Sequence, residues 1–120
     1  MAKKIKILII DDDTRLRELL KEYLNNNNYD TDIVKNSKEA SEMIQNNQYD
    51  LLIIDVMLPG ENGIDFLKEI RIKSNIPAII LSAVSDVEDR IYGLESGAND
   101  YMTKPFEPKE LILRIKNLLK

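Results

Sequence analysis

Three short runs of apolar residues divide the chain: Ile7-Leu8-Ile9-Ile10, Leu51-Leu52-Ile53-Ile54 and Ala78-Ile79-Ile80-Leu81. Continuous and rich in Ile, they predict strands buried on both faces, as in a parallel sheet covered by helices. Between them the apolar spacing turns helical. Leu16, Leu19, Leu20, Tyr23 and Leu24 fall at i, i+3, i+4, i+7 and i+8, one stripe on a first helix. The polar run Asn25 to Asn28 ends that helix, and Tyr29, Thr31 and Ile33 alternate as a second strand. Ser37 is the expected N-cap of a second helix carrying Ala40, Met43 and Ile44. After the Leu51 run, Pro59-Gly60 predicts a loop, and Gly63 to Ile72 a third helix through Ile64, Leu67 and Ile70. Ser85-x-x-Glu88 has the capping-box pattern, so a fourth helix is expected from there to about Ser96, stopped by Gly97. Asp100-Tyr101-Met102 predicts a short fifth strand, and Leu111, Ile115, Leu118 and Leu119 the inner face of a last helix.

Strand and helix thus alternate five times, with no Gly/Ser linker and no repeat. Such (βα)5 alternation requires an α/β fold: a doubly wound, five-stranded parallel sheet with right-handed crossovers. Among open doubly wound orders, 2-1-3-4-5 suits five units best. Its ligand crevice is expected beyond the carboxyl ends of strands 1 and 3, where the winding reverses.

Composition narrows the chemistry. The chain has 120 residues, one domain's length, with no Cys and no His. These absences exclude disulfides, thiolate metal sites, cysteine nucleophiles and any Ser-His-Asp triad. Seventeen Lys and Arg against 21 Asp and Glu give a net charge of −4, which argues against nucleic acid or an anionic membrane as the primary ligand. The basic opening Met1-Ala2-Lys3-Lys4-Ile5-Lys6 precedes an apolar run of only Ile7 to Ile10 before Asp11, too short for a signal peptide or membrane span. The expected location is the cytoplasm.

The polar residues after the strands are the informative ones. Asp11-Asp12-Asp13 follows strand 1, Asp55 strand 3, Ser82 strand 4 and Lys104-Pro105 strand 5. Each has a plain explanation by itself. Asp12 or Asp13 caps a helix, Asp55 makes a turn, Ser82 bonds local backbone, and Lys104 is a solvated charge. Their arrival at one sheet edge asks for a joint explanation. Crowded carboxylates repel unless neutralised, and a hard dication such as Mg²⁺ answers that need. A carboxylate there can attack phosphorus, with Lys104 and Ser82 holding the phosphoryl oxygens.

On these residues the chain resembles the receiver domain of bacterial two-component response regulators along essentially its whole length. The resemblance rests on the acidic cluster after Ile10, the stretch Asp55-Val56-Met57-Leu58-Pro59-Gly60-Glu61-Asn62-Gly63, the step Leu81-Ser82-Ala83, and Gly97 through Phe106. It implies the flavodoxin-like, CheY-like fold over 1–120, with Asp55 as phosphoacceptor for a sensor histidine kinase. It implies Asp12, Asp55 and the backbone carbonyl of Met57 as Mg²⁺ ligands, with Asp11 acting mainly through water and Mn²⁺ a substitute ion. Ser82 and Lys104 would contact the phosphoryl group, Ser82 standing where Thr is commoner. Tyr101 matches the switch aromatic that turns inward as Ser82 moves, and the Lys104–Pro105 peptide is cis in the family. The implied role is regulatory rather than enzymatic, beyond self-phosphorylation and autodephosphorylation at Asp55.

The fourth helix to the last resembles the OmpR/PhoB-type receivers, which are transcription factors. Arg90, Glu95, Asp100, Glu110, Arg114 and Lys116 match charges that pair across a symmetric dimer, and Ile91, Leu94 and Ile112 its apolar patch. Pattern alone favours a solvated charged face with core-directed stripes, and the resemblance reverses that preference. Asn99 stands where many relatives carry Asp. The DNA-binding effector half of that subfamily lies outside this chain, and an excised receiver is expected rather than a single-domain regulator.

Three other readings compete. A haloacid-dehalogenase-type aspartyl phosphatase needs Asp-x-Asp-x-Thr/Val after strand 1, and Arg15 occupies the last position of that motif. A flavodoxin-like FMN protein needs a first loop that cradles phosphate, where this chain has three Asp. A degenerate receiver acting only through protein contacts would not need so complete a site.

Overall fold

The computed structural model describes residues 4–83 and 87–120. Five strands, β1 (Ile5–Ile10), β2 (Tyr29–Val34), β3 (Leu51–Asp55), β6 (Ala78–Ser82) and β7 (Asp100–Thr103), form one parallel sheet. Its order is β2-β1-β3-β6-β7, the expected 2-1-3-4-5 counted over the sheet strands. Helices α1 (Thr14–Asn26), α2 (Ser37–Asn46), α3 (Gly63–Arg71), α4 (Val87–Glu95) and α5 (Pro108–Leu118) follow the sheet strands in turn.

Two apolar clusters lie on opposite faces of the sheet, because alternate side chains of a strand point to opposite sides. Leu8, Ile10, Leu52, Ile54 and Ile80 meet Ile64, Phe66 and Leu67 of α3 on one side. Ile7, Ile9, Ile53, Ile79 and Leu81 meet Leu20 and Leu24 of α1 and Leu111 and Ile115 of α5 on the other. The apolar runs are continuous because both faces are covered.

Several local expectations shift. Asn36, not Ser37, caps α2: its side chain accepts the Glu39 N–H at 2.8 Å, and Ser37 is the first helical residue. Leu19 leaves the α1 stripe and is 57% exposed. Five positions exceed what one buried face of a 3.6-residue helix holds. The Pro59-Gly60 loop is the tip of a small antiparallel hairpin, β4 (Met57–Leu58) with β5 (Glu61–Asn62), and Gly60 takes φ +77°. Two-residue strands carry no readable period. The capping serine expected at Ser85 lies outside the described residues, as do Met1, Ala2, Lys3 and Val84. Among the described residues, no helix is long and apolar enough to cross a membrane.

Candidate functional site

Adjacent strands end together, so the residues that leave β1, β3, β6 and β7 share one edge. Asp55 closes β3 opposite Leu81, Ser82 is the last residue of β6, and Lys104 follows β7. The Lys104 N–H donates to the Ser82 carbonyl at 2.7 Å, extending the ladder past β7, and the Lys104–Pro105 peptide is cis as expected.

Asp11, Asp12 and Asp55 each offer a carboxylate oxygen, all within 4.8 Å of one another. Asp11 and Asp55 are buried and Asp12 is exposed. The Lys104 ammonium reaches Asp11 Oδ2 at 2.9 Å and Asp55 Oδ2 at 3.3 Å. Asp13 stands apart from this group. Its side chain accepts the Leu16 N–H at 3.1 Å as the α1 N-cap, while its own N–H donates to Asp11 Oδ1 at 2.9 Å. Capping therefore belongs to Asp13, and Asp12 is left at the crevice. Arg17 reaches back from α1 to the Asp11 carbonyl at 2.9 Å, fixing the turn.

Burial, and next the neighbouring Asp11 charge, push the Asp55 carboxyl above its ordinary range, against the opposing pull of Lys104. For Lys104, burial works to lower the pKa. The hydrogen bond and charge of Asp11, then those of Asp55, outweigh it and hold the amine above its usual range. Three carboxylates against one ammonium leave two negative charges (3 − 1), the charge that one divalent cation carries. The donors are all hard oxygens, which fits Mg²⁺ or Mn²⁺.

The hairpin holds the backbone after Asp55 in place. Its Met57 N–H approaches Asp55 Oδ1 at 3.3 Å, and the Gly63 N–H closes the loop on the Val56 carbonyl at 2.7 Å. Gly63 is a site residue to which sequence reasoning gave no role of its own. A Cβ there would run into the Asp55 carbonyl. Its signal was a glycine at a helix start behind an Asn cap, where no left-handed turn called for it.

Ser82 is buried at the edge, and Tyr101 is already packed inward at 7% exposure. On the α4–β7–α5 face, Ile91 and Leu94 are 48% and 46% exposed. Ile112 is not with them. At 5% exposure it packs into the α5-side core beside Leu111 and Ile115, which turn the same face of α5 to the sheet. Arg114 bonds within its own chain, to Asp100 at 2.8 and 2.9 Å and to Glu110 at 3.0 Å. Asn99 accepts from the Ala78 N–H and from Arg71.

The family described as "Response regulator receiver domain" matches residues 7–116. The transcriptional regulatory protein ResD of Bacillus subtilis is 43% identical over 119 residues, 99% of this chain and 50% of that protein. The DNA-binding response regulator MtrA of Mycolicibacterium paratuberculosis is 41% identical over 96% of this chain and 51% of its own length. The chain thus spans about half the length of these curated relatives. Among solved structures, the receiver domain of Francisella response regulator 1452 superposes with a TM-score of 0.92 at 42% identity, covering 97% of both chains. The BeF3-activated N-terminal receiver domain of Klebsiella pneumoniae RstA gives 0.91 at 30% identity, over 96% of this chain and 98% of that one. With the sheet order and the site edge agreeing with these matches, the chain belongs to the response regulator receiver domains, beside relatives of the OmpR/PhoB type.

Proposed function

We propose that this receiver domain takes a phosphoryl group from a sensor histidine kinase onto Asp55 and passes the change to its α4–β7–α5 face. The observation that carries the reading is the buried Asp55 carboxylate beside a second buried carboxylate and a single ammonium. An Asp55 oxygen attacks phosphorus, and the donor's P–N bond breaks with its electron pair staying on the imidazole nitrogen. The product is an acyl phosphate on Asp55. Lys104 lies 3.3 Å from the acceptor oxygen, placed to hold a phosphoryl oxygen, and the Ser82 hydroxyl serves a second. Asp11, Asp12, Asp55 and the Met57 carbonyl would hold Mg²⁺, whose charge offsets repulsion between the phosphoryl oxygens and the carboxylates.

The donor has to cover the crevice to deliver its phosphorus. An apolar groove of about 360 Å³ borders Lys104, lined by Leu16, Leu19, Leu20, Pro105, Phe106 and Pro108. A donor helix set there would cover exposed Leu19. After transfer, Ile91 and Leu94 supply the apolar contact of a two-fold dimer. Arg90 with Glu110, Glu95 with Lys116, and Asp100 with Arg114 orient it. In longer relatives of this kind the output is transcriptional, and DNA is reached through an effector domain.

Acetyl phosphate with Mg²⁺, followed by intact mass and peptide mapping, is the test. One phosphoryl group on Asp55, lost in Asp55→Asn and without Mg²⁺, is expected. Modification of Asp11 instead would favour the phosphatase-type chemistry, and no modification a degenerate receiver.

A further inference from the structure

The apolar side chains of α4, Val87, Ile91 and Leu94, are exposed, and only Gly93 among its residues is buried. Helix propensity does not favour glycine in a helix, and Gly93 is not among the positive-φ glycines that a turn requires. Space is what remains. A Cβ on Gly93 would stand 3.1 Å from Cδ2 and 3.4 Å from Cε2 of the Tyr101 ring, and 3.7 Å from Ile64 Cδ1. The two ring distances are shorter than a relaxed carbon–carbon contact of about 3.5–4.0 Å.

We propose that Gly93 is the positioning residue that lets Tyr101 seat its ring inward beneath α4, and so sets how readily the domain adopts that arrangement. The inference rests on the receiver reading of the site. For a Cβ at 93 to be accommodated, either the helix or the ring must move. The helix is tied on two sides. Tyr92 Oη donates to Asp65 Oδ1 of α3 at 2.7 Å, and the Lys68 ammonium lies 5.3 Å from the Tyr92 ring centroid. At its C-terminal end the Ala98 N–H donates to the Gly93 carbonyl itself at 3.1 Å, and Arg71 Nε to the Gly97 carbonyl at 3.0 Å. The ring itself belongs to the packed cluster with Ile64, Ile80 and Ala98. With the helix held on both sides, a Cβ at 93 would press on the ring, which must give by a few tenths of an ångström.

The test uses the 120-residue chain labelled with fluorotyrosine. The Tyr101 fluorine signal is assigned through Tyr101→Phe, and spectra are taken with and without Mg²⁺ and beryllofluoride. Gly93→Ala is expected to shift that signal away from its wild-type position, and Gly93→Val further. Beryllofluoride-driven dimerisation should weaken by about tenfold, a modest population shift. Asp55 modification by acetyl phosphate should be unchanged, since Asp11, Asp12, Asp55 and Lys104 are not among the groups a Cβ at 93 would meet. In a Tyr101→Ala background the ring is gone, and Gly93→Ala should instead raise the melting temperature through helix propensity. A Tyr101 signal that stays at its wild-type position in Gly93→Ala overturns the proposal, as does a melting change of the same sign with and without the ring. Failure of wild-type Asp55 to accept phosphate would count against the reading of the site, while the fluorine shift still reports on Gly93.

Discussion

Asp11 keeps its carboxylate out of water because a backbone N–H holds one oxygen and the Lys104 ammonium the other. Asp55 has weaker support and more repulsion, so its ionised form costs the fold stability. Its folded pKa lies above the unfolded value near 3.8. Below that value both states are protonated and nothing is lost. As pH climbs from there through the folded pKa, the unfolded state releases its proton first and stability falls. Asp55→Asn has no such proton. In metal-free buffer it should exceed wild type by about 0.5–2 kcal/mol at neutral pH, in the range of other stabilising substitutions. The gap should shrink in acid and on adding Mg²⁺, as thermal melts across pH will read. Lys104→Ala has the opposite sign. It strands buried Asp11 beside Asp55, and breaking such a pair costs about 3–5 kcal/mol. Melts without metal should show this loss and Mg²⁺ should recover part of it. Lys104→Arg should keep more stability yet activate poorly, because a planar fork replaces a compact charge. A Lys104→Ala chain as stable as wild type would remove the ammonium from this account.

At the scale of elements, the four-residue Ile and Leu runs declared β1, β3 and β6 because burial on both faces leaves nothing polar to interrupt them. The site edge followed from topology, since parallel strands deliver their exit residues to one end. Legibility stopped where a tertiary contact decides. Leu19 and Ile112 are equally apolar, yet one faces the open groove and the other the sheet. Nothing in a helical period separates them. The cap of α2 moved by one residue because Asn36 and Ser37 are both competent and Asn36 reaches Glu39. Gly63 is the sharpest case. It begins α3, yet its identity is set by the Asp55 carbonyl across the hairpin. Gly63→Ala should force α3 and the hairpin away from β3, at about 1–3 kcal/mol as for other overpacked sites. Asp55 phosphorylation should slow with it, because the Met57 backbone moves as well. Melting and acetyl-phosphate kinetics on one preparation would check both, and an unaffected rate would separate the hairpin from the chemistry.

For the whole molecule, the intrachain bond between Arg114 and Asp100 changes how a dimer has to be tested. Both ends of the proposed interchain pair already meet inside one protomer at 2.8 Å. A double reversal, Arg114→Glu with Asp100→Arg, would restore that internal bond as well as any contact across the two-fold axis. Its rescue would prove neither. Mixing two single variants separates them. An Arg114→Glu chain carries acids at 100 and 114, and an Asp100→Arg chain carries bases at both, so each repels itself internally and across a homodimer. In the mixed dimer every cross-axis contact is complementary, because a two-fold interface sets residue 100 of each chain against 114 of the other. The internal repulsions stay. Each pair is worth only about 0–1 kcal/mol at a solvated rim, so in the proposed dimer the apolar contact of Ile91 and Leu94 would carry most of the affinity. Sedimentation with beryllofluoride and Mg²⁺ should therefore show weak self-association for each variant alone and recovery toward wild type on mixing. If mixing recovers nothing while the double reversal within one chain does, Arg114 acts only inside its own protomer, holding α5 to β7. The dimer would then have to be built on other charges.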